Sequence, residues 1–516
     1  MTNHPPFPRF CTFLAVIAQV LFLHLVPSMS QTESLVQPQK LGLNECLKMA
    51  IEKNHSRPAS QFAVAIAEAQ HRQALAGYWP QFTVKGGVER LNAPPNFIFP
   101  STQMYIPSQQ VAIPGGQATV TIPANAFGPG FPPTTVQLPV SYPGQTVTTT
   151  PQLFPVPAQN VRLLDPTLSK VEGDFKWLLF DGGMRHGYSE QALGALGVAK
   201  AESRRTDLEL ADSVVRLYYG AVLARQLRQL GQDTQERMEA TLRITETLYK
   251  EGSGTVTKAD YLDNKVMVET VRSIVAPLEK NEATAQAALA YTMGLPWNAT
   301  VEPTDSEIPF VPYDGKLDEL VATAYEFNPD WAKVDAGLRA LEGEHTTAVS
   351  GHYPKIALTG DLHRWWNSYD AGLSTDQNRG GWTVGAGIEI PVFDGFLTNA
   401  KVAEARARIN KLKEEKMLLK EGIGLQIRDL FLGLGASEKE YKASYEAMMA
   451  ARDDRDLTAR AYEAGLLATE KIIRAQLQEA LVSASYYKAV YEHRALQSQI
   501  DLVVGKAIRD ELNDTH

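Results

Sequence analysis

Phe175-Lys176-Trp177-Leu178-Leu179-Phe180-Asp181-Gly182-Gly183 is the stretch on which the fold turns, because it returns as Ile388-Glu389-Ile390-Pro391-Val392-Phe393-Asp394-Gly395-Phe396. Each copy is a short strand-like run that stops at Phe-Asp-Gly and opens directly into a very long helical pattern. An Asp at a helix start accepts hydrogen bonds from free backbone N–H groups, and a Gly beside it permits a sharp change of direction. Asp181, Gly182, Asp394 and Gly395 therefore read as two strand-to-helix joints.

A second pair of stretches confirms the duplication. Leu43 to Gly77 followed by Tyr78-Trp79-Pro80-Gln81-Phe82 matches Leu317 to Gly351 followed by His352-Tyr353-Pro354-Lys355-Ile356. Glu45, Asn54, Gly77 and Pro80 each lie 274 positions before Glu319, Asn328, Gly351 and Pro354. The chain is one structural unit written twice: residues 31–293, a linker 294–315, and residues 316–505, with a tail 506–516.

Outward from the joints the hydrophobic period is two. Phe82, Val84 and Val88 oppose Gln81, Thr83, Lys85 and Glu89; Val171, Phe175, Trp177 and Leu179 oppose Glu172, Asp174 and Lys176. In the second half Ile356, Leu358 and Leu362 oppose Lys355, Thr359, Asp361 and His363, and Trp382, Val384, Ile388 and Ile390 oppose Thr383 and Glu389. These are four strands, about 81–91, 169–180, 355–365 and 382–393, each of roughly the length that crosses a bilayer when tilted. A soluble antiparallel sheet with one face on a core gives the same alternation and stays open here.

Long helical hairpins follow each joint. Gly183 to Tyr249 carries apolar Leu208, Val215 and Val222 at sevenfold spacing, a turn follows at Gly252-Ser253-Gly254, and a second helix returns from about Val256 to Met293 with Pro277 inside it. Ala400 to Ala464 goes out in the second half, Gly465 turns, and Ala468 to Val504 comes back. Between the first two strands lies an insert, Asn92 to Asn160, with 14 prolines and no Asp, Glu, Lys or Arg in 69 residues. The prolines argue against regular ladders and for a loop. A partly packed cap over a pore mouth is the sharper reading of its lack of charge.

Residues 1–30 read as a secretory signal peptide, with Arg9 before an apolar run from Phe10 to Val26, a membrane anchor near the lower length limit being the competing reading. That leaves Cys46 as the lone thiol, so no internal disulfide is expected. No later run is long and apolar enough for a membrane-spanning helix. The net charge of −9 argues against a nucleic-acid partner. Scattered histidines, and Gly385-Ala386-Gly387 lying inside a strand, offer no catalytic or phosphate site. No enzyme activity and no cofactor or metal is expected. Four amphipathic strands are too few for a closed barrel, and lipid does not tolerate open edges, so several chains must contribute to one wall. A secreted coiled-coil scaffold, with the strands as a soluble sheet, is the competing class.

The paired starts Leu43-Asn44-Glu45 and Leu317-Asp318-Glu319, the two Phe-Asp-Gly joints and the two hairpin tips, in this order over Leu41 to Gly505, resemble the TolC family of outer membrane efflux proteins. The resemblance implies an α+β, mostly α fold: duplicated helix-turn-helix rods plus four strands per chain in a homotrimeric twelve-stranded barrel. It implies an outer membrane exit duct for efflux or type I secretion, with a periplasmic adaptor and an inner-membrane pump of RND or ABC type as partners. The polar strand residues Lys85, Glu89, Asp174, Lys176, Lys355, Asp361 and Glu389 would line the barrel lumen. The tips would carry adaptor contact and gate: Gly254, Thr257 and Asp260 fit the family pattern, whereas Gly465 is followed by Lys471 and Arg474 where relatives often carry acids. Lys471 and Arg474 are expected to pair with Asp260 or another nearby carboxylate.

Overall fold

The computed structural model describes residues 39–122, 132–252, 256–366 and 379–505. The signal-peptide reading, Gly254 and the tail lie outside the described residues. In chain order the first elements are β1 (Gln39–Leu41), α1 (Leu43–Lys53), α2 (Ser56–Ala76) and β2 (Gln81–Arg90). The insert holds β3 (Asn96–Phe99), β4 (Thr102–Ile106), β5 (Gln110–Ile113), β6 (Gly116–Ile122), β7 (Thr134–Tyr142), β8 (Gln145–Thr148), β9 (Gln152–Val156) and β10 (Gln159–Arg162). Then come β11 (Thr167–Phe180), α3 (Met184–Lys250), α4 (Lys258–Thr292) and β12 (Val301–Pro303). The second half adds α5 (Leu317–Phe327), α6 (Pro329–Ser350), β13 (Lys355–Trp366), β14 (Gly380–Glu389), α7 (Leu397–Glu463) and α8 (Thr469–Val504).

Two compact units divide these elements. The helical unit falls within Met1–Ala74, His186–Ala348 and Phe396–His516; the strand unit takes Leu75–Arg185 and Val349–Gly395. The repeat is legible in the element bounds, since α1 and α5 start 274 positions apart, as do β2 and β13.

In the helical unit α3 and α7 are each 67 residues long, on the order of 100 Å. Their partners α4 and α8 return over 35 and 36 residues. Each repeat's first helix seats in a core, the first of which also takes in Val490 of α8. Cys46, Leu47 and Ala50 of α1 bury against Leu210, Val214, Tyr218 and Val222 of α3 and Leu289 of α4. Ala324 of α5 buries with Ile423, Ile427, Leu430 and Leu434 of α7 and Ile500 and Val504 of α8.

The same clamp closes both cores. Asn54 Nδ2 donates to the Thr292 carbonyl at 2.7 Å while its Oδ1 accepts from Ser56 N at 2.7 Å. Asn328 repeats this with Val503 O at 2.8 Å and Asp330 N at 2.8 Å. The residue facing each Asn turn is a glycine in the left-handed region, Gly294 (φ 76°) and Gly505 (φ 77°). A Cβ there would lie 2.4 Å from Lys53 O and 2.5 Å from Phe327 O respectively, so only glycine lets the backbones approach. Close approach also joins α3 to α6: a Cβ on Gly194 would sit 2.5 Å from Ala340 N, and one on Gly343 would sit 2.6 Å from Gln191 N.

The strand unit holds one four-stranded antiparallel sheet in the order β14-β13-β11-β2. The insert overturns the loop expectation. Its strands pair as β3 with β10, β4 with β9, β5 with β8 and β6 with β7, all antiparallel, giving one long interrupted ribbon. Leu91 N donates to Pro166 O at 2.6 Å and Leu163 N to Pro95 O at 2.9 Å, so the ribbon continues the β2–β11 hairpin. The prolines explain the interruptions rather than forbidding the ladder. Pro100 and Pro157 lie at the first break, Pro107 and Pro151 at the second, and Pro114 and Pro143 at the third, each outside the paired segments. Inside the paired segments, Pro139 falls where the β6–β7 register shifts, and Pro155 lies in a two-stranded ribbon where every strand is an edge.

Candidate functional site

At the first joint the Asp181 carboxylate accepts from Gly183 N at 3.1 Å, from Arg185 N at 2.9 Å and from Arg185 Nε at 2.7 Å. The Arg185 guanidinium also donates to Leu178 O at 2.6 Å, which ties the helix start to the strand it leaves. Burial pushes the Asp181 carboxyl up, but these donors from Arg185 and Gly183 together hold it below its ordinary value. Gly182 (φ 65°) and Gly183 (φ 95°) make the turn, and a Cβ on Gly182 would lie 2.3 Å from Tyr353 Cβ. The second joint keeps this left-handed pair at Gly395 (φ 68°) and Phe396 (φ 65°), with α7 again starting three residues after the Asp. Phe396 therefore holds a conformation that costs a side-chain-bearing residue roughly 1–2 kcal/mol.

In the strand unit the register puts all seven charged residues singled out from the alternation on one face of the sheet. Lys85 stands opposite Glu172, Asp174 opposite Asp361, Lys176 opposite Thr359, and Lys355 opposite Glu389. Lys85 Nζ lies 2.6 Å from Asp174 Oδ2, and His363 Nδ1 lies 2.9 Å from Asp361 Oδ1. Lys170, which the sequence reading passed over, bridges Glu89 at 3.6 Å and Glu172 at 3.8 Å on the same face. One further step of the period-two pattern back from Glu172 would have reached it.

The opposite face is apolar and bare. Phe82 is 64% exposed, Val88 74%, Trp382 73% and Ile388 65%. A soluble sheet would lay this face on a core, and among the described residues nothing covers it.

The hairpin ends of the helical unit are built from polar contacts. Thr257 caps α4: its Oγ1 accepts from Asp260 N at 3.2 Å, and Asp260 Oδ2 accepts from Thr257 N at 2.8 Å and from its hydroxyl at 2.7 Å. The Thr257 hydroxyl and N–H hold the Asp260 carboxyl below its usual range. Asp260 is thus occupied by its own cap, and Arg474 pairs with Glu470 one turn away. For Arg474 the expected carboxylate is thus Glu470 and not Asp260, while Lys471 is exposed with no ion pair among the described residues. Gly465 (φ 73°) makes the second turn.

Sequence reading missed the groups that tie the two hairpins together just behind these turns. Thr245 Oγ1 lies 2.8 Å from the Tyr462 hydroxyl and accepts from Asn264 Nδ2 at 3.1 Å, and Gln476 Nε2 donates to Thr241 Oγ1 at 3.0 Å. Further along, the buried Glu479 of α8 sits among three arginines: Arg237 of α3 at 3.0 Å, and Arg455 and Arg452 of α7 at 3.5 and 3.7 Å. Only the side-chain types were visible beforehand, since the contacts of Thr245 with Tyr462, Thr241 with Gln476 and Arg237 with Glu479 join residues 217 to 242 apart and leave no local pattern. No group of His, Cys, Asp or Glu among the described residues could hold a metal ion.

Residues 169–295 and 320–505, more than half of the chain, match the family described as outer membrane efflux protein. Protein CyaE of Bordetella pertussis is 26% identical over 304 residues, which cover 58% of this chain and 63% of that relative, somewhat under two thirds of its length. The crystal structure of the Campylobacter jejuni CmeC outer membrane channel superposes with a TM-score of 0.67 at 11% identity, covering 90% of this chain and 86% of that one. The outer membrane protein VceC of Vibrio cholerae gives 0.65 at 14% identity, with 90% and 96% covered.

Proposed function

This chain belongs to the outer membrane efflux protein family, and from that premise we propose that three copies close one barrel and form a passive exit duct through the outer membrane. The observation that carries the reading is the four-stranded sheet with two open edges, one charged face and one bare apolar face. Open edges in lipid leave backbone groups unpaired at several kcal/mol each, so the β2 edge of one copy must meet the β14 edge of the next. Three sheets of four then make twelve strands. The apolar face turns to lipid; Lys85, Glu89, Asp174, Lys176, Lys355, Asp361 and Glu389 turn to the lumen.

The helical unit supports the same stoichiometry. Leu418, Leu425 and Leu432 repeat at sevenfold spacing along α7 and are 72%, 69% and 60% exposed, a coiled-coil seam without a partner among the described residues. The helical hairpins stand in the periplasm, where their turns meet an adaptor protein coupled to an inner-membrane pump of RND or ABC type. Around a threefold axis Lys471, which keeps no carboxylate of its own, adds a positive ring at the periplasmic opening, with Thr257, Asp260, Gly465 and the Glu470–Arg474 pair beside it.

Planar-bilayer recording of the purified mature protein tests this reading. Discrete conductance steps are expected, with anion preference reduced in a Lys471→Glu variant. Absence of any conductance removes the duct reading; unchanged selectivity in the variant removes Lys471 from the opening.

A further inference from the structure

The ribbon from β3 to β10 has no role in the reading above. From Asn92 to Asn160 it carries no Asp, Glu, Lys, Arg or His. Its apolar side chains are nonetheless uncovered: Phe97 is 52% exposed, Met104 53%, Val111 49%, Val147 45%, Leu153 60%. A lone two-stranded ribbon is marginal in water, so an exposed ribbon of this composition needs a cover.

We propose that the ribbon packs on the same ribbon of the two other copies in the trimer, so that three ribbons form an uncharged bundle extending the duct from its barrel. The inference rests on the trimeric reading above and follows from three observations.

The ribbon is continuous with the seam between copies. It prolongs β2 and β11 through the Leu91–Pro166 and Leu163–Pro95 hydrogen bonds, and β2 is the open edge of the sheet. Each ribbon therefore rises where one chain meets the next.

The lack of charge fits a homotypic partner. Around a threefold axis a side chain faces copies of itself, so any Lys or Asp would meet like charge at short range, whereas apolar, hydroxyl and amide groups meet themselves without penalty. A partner with an acidic or basic surface would call for complementary charges, and beyond Arg162 at the foot of β10 the ribbon offers none. Lipid is excluded as the cover because both edges of a two-stranded ribbon would leave backbone groups unpaired in it.

The β5–β8 segment also has the face such a bundle requires. Val111 stands opposite Val147 and Ile113 opposite Gln145 on one side, with Gln110, Ala112, Thr146 and Thr148 on the other. Prolines at every break and within β7 and β9 remove edge donors, which disfavours edge-to-edge pairing and leaves the faces for contact. At about 3.3 Å per residue the run from Asn96 to Ile122 follows a path on the order of 80 Å, longer than a lid over one barrel needs.

Cysteine cross-linking of the detergent-solubilised mature protein decides the matter, since native Cys46 is buried. Val111→Cys under oxidation is expected to give a disulfide-linked pair of chains, at least tenfold more than Thr146→Cys on the opposite face. Val147→Lys is expected to increase protease cleavage within the ribbon severalfold while the trimer persists. If the wild type runs as a trimer but Val111→Cys yields no linked pair and Val147→Lys leaves cleavage unchanged, the ribbon contact is overturned and the duct stands. A monomeric wild type overturns the trimer and this inference with it.

Discussion

Replacing Glu479 by Gln should loosen the tie between the two helical hairpins by a magnitude the geometry allows to be worked out. Glu479 is 2% exposed, and its two oxygens face Arg237 at 3.0 Å, Arg455 at 3.5 Å and Arg452 at 3.7 Å, with the Ser483 hydroxyl donating at 3.2 Å. Gln keeps the shape and the Ser483 acceptor but removes the single negative charge among three positive ones. Breaking a buried ion pair by deleting one partner costs about 3–5 kcal/mol. The arginine side chains retain 17% to 40% exposure, so water relieves part of this, and about 3 kcal/mol is the expected loss. Hydrogen exchange read by mass spectrometry on the detergent-solubilised protein is the suitable assay, because it reports local opening without requiring reversible global unfolding. Amides around Thr241–Thr245 and Ile472–Ser483 should lose roughly 100-fold in protection, the factor that about 3 kcal/mol represents. Arg452→Gln, which removes the farthest and most exposed guanidinium, should lose less than about 1 kcal/mol. Protection in Glu479→Gln within threefold of wild type would refute the reasoning and reduce the cluster to solvated charges.

The remaining expectations are simpler. Gly505→Ala combines a left-handed φ of 77° with a Cβ 2.5 Å from Phe327 O; a loss of about 2 kcal/mol or more at the second core is expected in thermal unfolding, while an unchanged midpoint would deny the clamp. Cys46 is buried in the first core, and burial followed by the Glu45 charge pushes its thiol up to about 12; alkylating reagents should leave it untouched in the native protein and label it fully in denaturant. Because the Asp260 carboxyl is held below its ordinary value in the fold, the stability its cap contributes is present above the unfolded pKa and is lost as pH falls through the folded one. The first turn of α4 should therefore hold through the ordinary carboxylate range and fray only at pH below it in wild type, and be frayed at every pH in Asp260→Asn.

Much of this architecture is readable from residue order alone, for a physical reason: strands and long helices announce themselves through short-range periodicity. Alternation placed Lys85, Asp174, Asp361 and Glu389 on one face of the sheet before any register was known. The sevenfold run through Leu208 and Val222 likewise marked residues that are buried in the helical core. The insert was misread because proline was weighed as a count and not by position. Fourteen prolines would break a random ladder, but among the described residues they sit at the breaks between paired segments, with Pro139 at a register shift and Pro155 on a ribbon edge that needs no donor. The clamps at Asn54 and Asn328 were visible as a repeated residue, yet their role was not, since the carbonyls they hold lie 238 and 175 residues away. The same distance hid Thr245 with Tyr462 and Glu479 with Arg237. Of the two partners left open for Arg474, the nearby carboxylate is Glu470 and not Asp260, whose oxygens a threonine three residues earlier satisfies locally at lower entropic cost.

The stoichiometry of the purified protein in detergent tests the central claim most directly. Native mass spectrometry should give a particle of three chains that precipitates when detergent is removed, because each sheet leaves two open edges and a bare apolar face. A single-chain particle that stays in solution without detergent would contradict the account.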